Sequence, residues 1–460
     1  MTQSHRHERW GVLGGGILGM TLAHRLRQQG KDVTLFEAAE TLGGLASTWQ
    51  LGDIIWDRHY HVTLFSDLYL RALLAELELE KELNWVETKT GFFTDGTFYS
   101  MSNTWEFLRF PPLRLPDKLR LALTIFYASR IRNWGRLEGI PVAEWLRKWS
   151  GTRTFNKIWL PLLRSKLGES YKITSAAFIW ATIARMYAAR RSGLKKEMFG
   201  YVHGGYARIL DRFESTLAEE GVAIRVRHSA KRVESIEGKG LGVTFENGRE
   251  EIFDRVVLTV PAPVARRLCV ELDKDEALRL EKSQYQGIIC ASLLLDRPLS
   301  KFYVTNLTDS WVPFTAVIEM SALVDRQHFG GKALVYLPKY VSPEDPTFSL
   351  SDEEIRETFF SALSRMYPQF SPSSVLSFRV SRVKHVFALS TLNRSGQLPS
   401  VVTSIPGVYM VNSAQIVNGT LNVNETVQLA ENSVKQILLA SNRLDAVSFS
   451  ATPQPLPVFT

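Results

Sequence analysis

Between Trp56 and Val62 the chain reads WDRHYHV, which places a carboxylate, a guanidinium and two imidazoles within the five positions from Asp57 to His61. Imidazole titrates in the range where proton transfer is useful, so His61 is a candidate proton donor or oxyanion partner. Arg58 is a candidate to hold an electron-rich oxygen or to pair with Asp57. The competing reading has His59 and His61 alternating across a strand, one of them in a satisfied polar contact. A third candidate, Glu319, stands in the otherwise apolar run TAVIEM. Buried, it would have a raised pKa and could act as acid or base; at a strand edge it would face water. Tyr336 and Tyr340 flank Pro338 and either line a pocket or simply pack.

These side chains need a scaffold, and the first 40 residues supply one. Trp10 to Leu13 reads as a short apolar strand, GGGILG follows from Gly14 to Gly19, and Ile17 to Gln29 is a helical run with Leu18, Leu22 and Leu26 on one face. Gly30 closes the helix, and Lys31 to Phe36 reads as a second strand ending on Glu37. Strand, glycines, helix, strand and acid are the parts of a dinucleotide fold. Gly14 permits the tight turn, Gly16 lets backbone approach a pyrophosphate, and Gly19 lets the helix pack against the strand. The helix N-terminus at Ile17 and Leu18 faces the anion, and Glu37 can accept from a ribose diol. A secretory leader is the rival reading of this basic start and apolar run, but five glycines between Gly11 and Ala23 break the leucine-rich helix it requires.

Downstream of Glu37 a second glycine pair, Gly43 and Gly44, sits in a polar loop, FEAAETLGGLAST. This arrangement resembles the extended FAD signature of the flavin amine oxidase, protoporphyrinogen oxidase and phytoene desaturase superfamily, and more distantly UDP-galactopyranose mutase. Further segments resemble that family in the expected order: YVHGGYARIL with Gly204 and Gly205, VAIRVRHSAKRVESI with Arg232 and Val233, FDRVVLTVPAPVARRL with Pro261, and the segment from Gly407 with Asn412, Ser413 and Asn422. The resemblance implies FAD as cofactor and these residues, with Leu45, as its contacts; Arg58 would then meet a flavin carbonyl. Two positions depart from the family pattern. Leu45 replaces a commonly basic residue, and Asn412-Ser413 replaces the Gly-Asp pair at the ribityl chain, although Asn and Ser can still hydrogen-bond a hydroxyl.

Composition bounds the rest. The chain has 45% hydrophobic and 22% charged residues, an ordinary globular balance, and 460 residues exceed one core. The fold class expected is α/β: a Rossmann-type FAD domain from residues 1–100, 201–285 and 400–445, a helical insert at 105–200, a mixed or antiparallel substrate sheet at 286–399, and a flexible tail at 446–460. The insert carries nineteen Lys and Arg against six Asp and Glu, and six of the eleven Trp. Such a mixture suits an anionic membrane surface; a solvated basic domain or a site for an acidic ligand are the alternatives. Nucleic acid is not expected, because no binding module accompanies the charge. No run reaches the ~18 to 20 apolar residues of a membrane span. Cys269 and Cys290 have no CxxC or framework spacing and read as core thiols of a cytoplasmic protein, peripheral at the inner face of the membrane. Nine His without ligand spacing support no metal site. GKGLG, Gly238 to Gly242, opens no helix and reads as a hairpin turn, so a second dinucleotide site for NAD(P)H is not expected.

The expected activity is hydride transfer to FAD from a hydrophobic or lipid-linked small molecule. The alternatives are a redox-neutral flavoenzyme on a nucleotide sugar and a non-catalytic protein stabilised by FAD.

Overall fold

The structure is a computed structural model that describes residues 8–189, 198–417 and 420–450. Strand β1 (Arg9–Leu13) lies at the centre of a five-stranded parallel sheet, between β2 (Asp32–Phe36) and the strand Arg255–Leu258. Strands Ala223–Arg225 and Val408–Met410 close the two edges. Parallel strands are buried on both faces, and here Trp10, Val12, Val33, Leu35 and Val257 are inaccessible. Helix α1 (Ile17–Gln28) covers one face with Leu18, Leu22 and Leu26, the stripe expected from their spacing. The long helix Val423–Ser450 packs beside it through Val427, Ala430 and Val434. Residues 446–450, expected in a flexible tail, continue that helix, while 451–460 lie outside the described residues.

A second, seven-stranded sheet stands over the carboxyl side of the first. Its order is Val375–Ala388, Tyr285–Leu295, Ala333–Val341, Ala316–Glu319, Val304–Leu307, Thr90–Thr94 and Thr97–Ser100. All pairings are antiparallel except that of Val304–Leu307 with Thr90–Thr94. Thus two strands come from the 1–100 segment, which the sequence reading grouped with the dinucleotide fold. Their turn, Asp95-Gly96, has φ of +52° and +71°, the signature of a tight two-residue hairpin. One face of this sheet packs on helix Asp352–Met366 through Phe359 and Leu363. The other face meets Trp56 from the hairpin Thr48–Leu51/Ile54–Asp57.

The insert folds as helices Leu115–Arg130, Val142–Ser150, Leu160–Leu167 and Ala176–Ala189 around Trp145, Leu146, Phe155 and Leu163. Among the described residues no helix is long and apolar enough to cross a membrane. An ion pair ties the insert to the remainder: Arg185 donates to both oxygens of Asp67, the shortest contact 2.9 Å, and Asp67 is 2% exposed. Removing one partner of a buried pair costs about 3–5 kcal/mol. Arg185→Met is therefore expected to lower unfolding free energy by about 3 kcal/mol in urea titration; an unchanged midpoint would show the pair to be dispensable.

Candidate functional site

The carboxyl ends of four parallel strands meet where Gly14, Glu37, Thr259 and Val411 leave the sheet, the place where open α/β sheets bind ligands. The glycines there do different work. Gly14 has φ +116°, and a Cβ on it would lie 2.5 Å from Thr259 Oγ1. A Cβ on Gly19 would lie 1.8 Å from the Gly14 carbonyl oxygen, so Gly19 is required by the contact between α1 and the turn. Gly16 is different: a Cβ would meet nothing closer than 3.8 Å, at Gly44 Cα. The protein itself tolerates a side chain at Gly16, so the space beside it is left for something else. Gly43 bridges to this loop, its amide donating to the Gly15 carbonyl at 2.8 Å. Glu37 accepts from the Gly15 amide (2.7 Å) and the Ala39 amide (2.8 Å), one on each oxygen, leaving each a lone pair.

From this crossing the chain turns into WDRHYHV. The strand ends at Asp57, and His59 and His61 lie beyond it, so they do not alternate across a strand. His59 Nδ1 meets the Leu45 carbonyl at 3.1 Å, while its Nε2 is buried without a partner among the described residues. Arg58 does not pair with Asp57; it lies over the Trp49 ring at 5.5 Å, and burial together with the nearby Arg379 lowers its pKa. His61 packs on Tyr206 with ring centroids 4.7 Å apart, its Nδ1 3.9 Å from Asp57 Oδ2. That gap is too long for a hydrogen bond, and a cavity of about 10 Å³ beside it is near the volume one water needs. Burial lowers the His61 pKa to about 3 and raises that of Asp57 to about 7, opposed by the Tyr206 amide that donates to Asp57 Oδ1 at 2.8 Å. Both groups are thus driven toward neutrality. Burial favours a protonated Asp57 and a neutral His61, which makes Asp57 the better candidate of the two to carry a proton.

The facing wall belongs to the second sheet. Tyr336 donates to the Asp57 backbone carbonyl at 2.6 Å, and the Tyr60 and Tyr340 hydroxyls share a 3.0 Å hydrogen bond. Burial pushes the Tyr60 phenol up to about 12. Lys166, from helix Leu160–Leu167, holds its Nζ 3.4 Å from the centroid of the Tyr340 ring. Glu319 is buried, not water-facing, because helix Asp352–Met366 covers its side of the sheet. It also points away from this site: its neighbour Ile318 and the paired Tyr336 face Trp56, and period-two alternation puts Glu319 on the opposite face. Its carboxylate accepts from the Leu299 and Ser300 amides and the Ser321 hydroxyl, which fastens a turn.

Of the other candidates, Gly205 approaches the site's own residues; a Cβ there would lie 2.9 Å from Asp57 Oδ1. The pair Gly204-Gly205, both at positive φ, starts the helix Gly205–Glu219 whose amide holds Asp57. Val233 is in the core beside Phe36, and Arg232 is half-exposed in an ion pair with Glu234. Pro261 precedes helix Ala262–Leu268, and Asn422 caps helix Val423–Ser450 by accepting from the Glu425 amide. Asn412 accepts from the Ala414 amide, but its Nδ2 is buried without a hydrogen-bond partner among the described residues, as is Ser47 Oγ. These orphaned groups fit a ligand rich in hydroxyls and carbonyls, such as the ribityl and ring portions of a flavin. Cys269 and Cys290 are free, buried thiols in separate clusters.

Over residues 19–438 the chain matches the family of flavin containing amine oxidoreductases, and it belongs to that family. The resemblance read from the glycine loops is thereby borne out. Among curated relatives, coproporphyrinogen III oxidase of Mycobacterium tuberculosis (strain ATCC 25618 / H37Rv) is 27% identical over 286 residues, 56% of this chain and 60% of that protein. The 15-cis-phytoene desaturase of Narcissus pseudonarcissus is 21% identical over 384 residues, 78% of this chain and 65% of that protein. The chain thus spans about three-fifths of the first of these relatives. Of solved structures, an oxidoreductase from Methanosarcina mazei superposes with a TM-score of 0.71 at 20% identity, covering 93% of this chain and 100% of that one. Reduced UDP-galactopyranose mutase superposes with a TM-score of 0.72 at 14% identity, covering 94% and 95%. These likenesses establish the fold: a dinucleotide-binding α/β domain with a mixed-sheet domain and a helical insert.

Proposed function

We propose that the protein is an FAD-dependent oxidoreductase that removes hydride from a hydrophobic small molecule lying between the glycine crossing and the tyrosine wall. The observation that carries this reading is the open backbone approach at Gly16, where a Cβ would meet only backbone of Gly43 and Gly44, no closer than 3.8 Å. When bound there, FAD would supply the hydride acceptor. Gly16 and the first turn of α1 would hold the pyrophosphate, Glu37 the adenosine ribose, and Asn412 and Ser47 the ribityl hydroxyls. Tyr60, Tyr336 and Tyr340 exclude water, and Asp57 holds or releases a proton at Oδ2. The visible spectrum of the purified protein, before and after acid precipitation, tests this: FAD is expected in the supernatant, and a protein that neither carries nor takes up flavin would overturn the reading.

Access for such a substrate is offered by the insert. In helix Leu115–Arg130 the outward face is the apolar one: Leu115, Leu119 (56% exposed), Leu123 (67%) and Phe126 point to solvent, joined by Trp105 (72%). Lys118 turns inward and donates to the Leu108 carbonyl at 2.7 Å, coupling the two parts of the patch. Arg114 and Arg130 mark its ends. An apolar stripe bracketed by cations suits an anionic bilayer. The paired change Leu119→Glu/Leu123→Glu is expected to weaken sedimentation with phosphatidylglycerol vesicles about tenfold or more without altering the melting temperature. Equal binding by the variant would remove this surface from the proposal.

A further inference from the structure

Two guanidinium groups share one indole. Arg58 lies 5.5 Å and Arg379 lies 4.6 Å from the centroid of the Trp49 ring. Arg58 follows the hairpin Thr48–Leu51/Ile54–Asp57, and Arg379 stands on Val375–Ala388, the edge strand of the second sheet. Arg379 donates to the Gln50 carbonyl at 2.9 Å, whereas the Arg58 side chain makes no hydrogen bond or ion pair among the described residues. The acids of the hairpin are engaged elsewhere: Asp53 pairs with Lys332, and Asp57 accepts from the Tyr206 amide. The edge strand holds no acid at all, and of its other cations Arg382 is paired with Asp352 and Lys384 lies over Phe348. Arg58 and Arg379 are near enough for the second to disfavour the charge on the first. Arg58 Nε and Trp49 Nε1 are also buried without a hydrogen-bond partner among the described residues. Like charges repel, and a buried donor without an acceptor is unfavourable. Both features of this corner call for one thing, a compact group that is anionic and rich in acceptor oxygens.

We propose that Arg58, Arg379 and Trp49 form a binding site for a phosphate group. A phosphate dianion offsets two guanidinium charges and offers several oxygens to their N–H donors, and the planar fork of arginine matches it in geometry. The three residues come from two parts of the molecule, the hairpin that leaves the glycine crossing and the edge of the second sheet. A bound phosphate therefore adds to the Arg379–Gln50 hydrogen bond in fastening hairpin to sheet, at the residue next to Asp57. None of the three side chains is among those assigned to the flavin, and the inference does not depend on the oxidoreductase reading.

The test is thermal melting of the whole protein, incubated with FAD and then desalted, against inorganic phosphate, glycerol 3-phosphate, acetate and chloride at equal ionic strength and pH 7.5. Inorganic phosphate or glycerol 3-phosphate is expected to raise the melting temperature saturably, and chloride and acetate to do so much less. Arg58→Met and Arg379→Gln keep an apolar stem beside Trp49, and each is expected to weaken the phosphate effect about tenfold or more, the loss of one charge-assisted contact. Arg379→Glu supplies the missing acid from within, so it should melt higher than the wild type without phosphate and no longer respond to it. Tighter binding of glycerol 3-phosphate would assign the site to a phosphate ester, and tighter binding of inorganic phosphate to the free ion. An equal response to chloride or acetate, an undiminished phosphate effect in Arg379→Gln, or no response to either phosphate would overturn the proposal. Flavin content is read separately by absorbance, and its absence beside a normal phosphate response would sink the oxidoreductase reading alone.

Discussion

Gly16→Ala is expected to yield a folded protein that has lost its flavin. The backbone at Gly16, φ −71° and ψ 173°, is open to any residue, and its Cβ would meet nothing inside 3.8 Å. Stripped wild type and stripped variant should therefore melt together. The methyl would, however, stand where a pyrophosphate must touch backbone, and overpacking of about 1–3 kcal/mol corresponds to roughly 10- to 100-fold weaker binding. Gly19→Ala supplies the contrast. Its Cβ, 1.8 Å from the Gly14 oxygen, forces α1 away from the turn, so it should destabilise the stripped protein by about 3 kcal/mol or more and lose flavin as a consequence. Flavin titration and urea unfolding of both variants separate the two roles. If Gly16→Ala binds flavin as wild type does, the approach beside Gly16 is not the cofactor's.

Those two glycines also mark how far the sequence could be read. Their spacing, the stripe Leu18, Leu22, Leu26 and the acid at the end of β2 are local patterns, and the dinucleotide fold follows from them. The Asp95-Gly96 turn is equally local, but a hairpin does not say which sheet it joins. Glu319 illustrates another limit. Alternation in TAVIEM tells which residues share a face, but only the helix at 352–366, distant in sequence, makes the glutamate's face a buried one. For WDRHYHV the residue types point to proton chemistry, and reading His61 as the donor rests on the free imidazole pKa. Burial moves that value down and the value of Asp57 up, which exchanges them as candidates.

That exchange predicts that Asp57→Asn is more stable than the wild type in neutral solution. The folded pKa of Asp57, about 7, exceeds its ordinary value of 3.8. Between these values the folded protein holds a proton that the unfolded chain has released. Wild-type stability is therefore fully present below about pH 4, falls as pH rises, and levels off above about pH 7. At 1.36 kcal/mol per unit, the span amounts to about 4 kcal/mol. Asparagine keeps the oxygen that accepts from the Tyr206 amide but carries no charge, so it does not share this decline. The stability gap in favour of Asp57→Asn should thus grow by about 4 kcal/mol between pH 4 and pH 8 in urea titrations; parallel profiles would mean that Asp57 ionises at an ordinary pH. Such a carboxylate beside the glycine crossing is a candidate for proton transfer. Accordingly, the variant should lose about 100-fold or more in turnover if Asp57 handles a proton, together with any break near pH 7 in the rate profile.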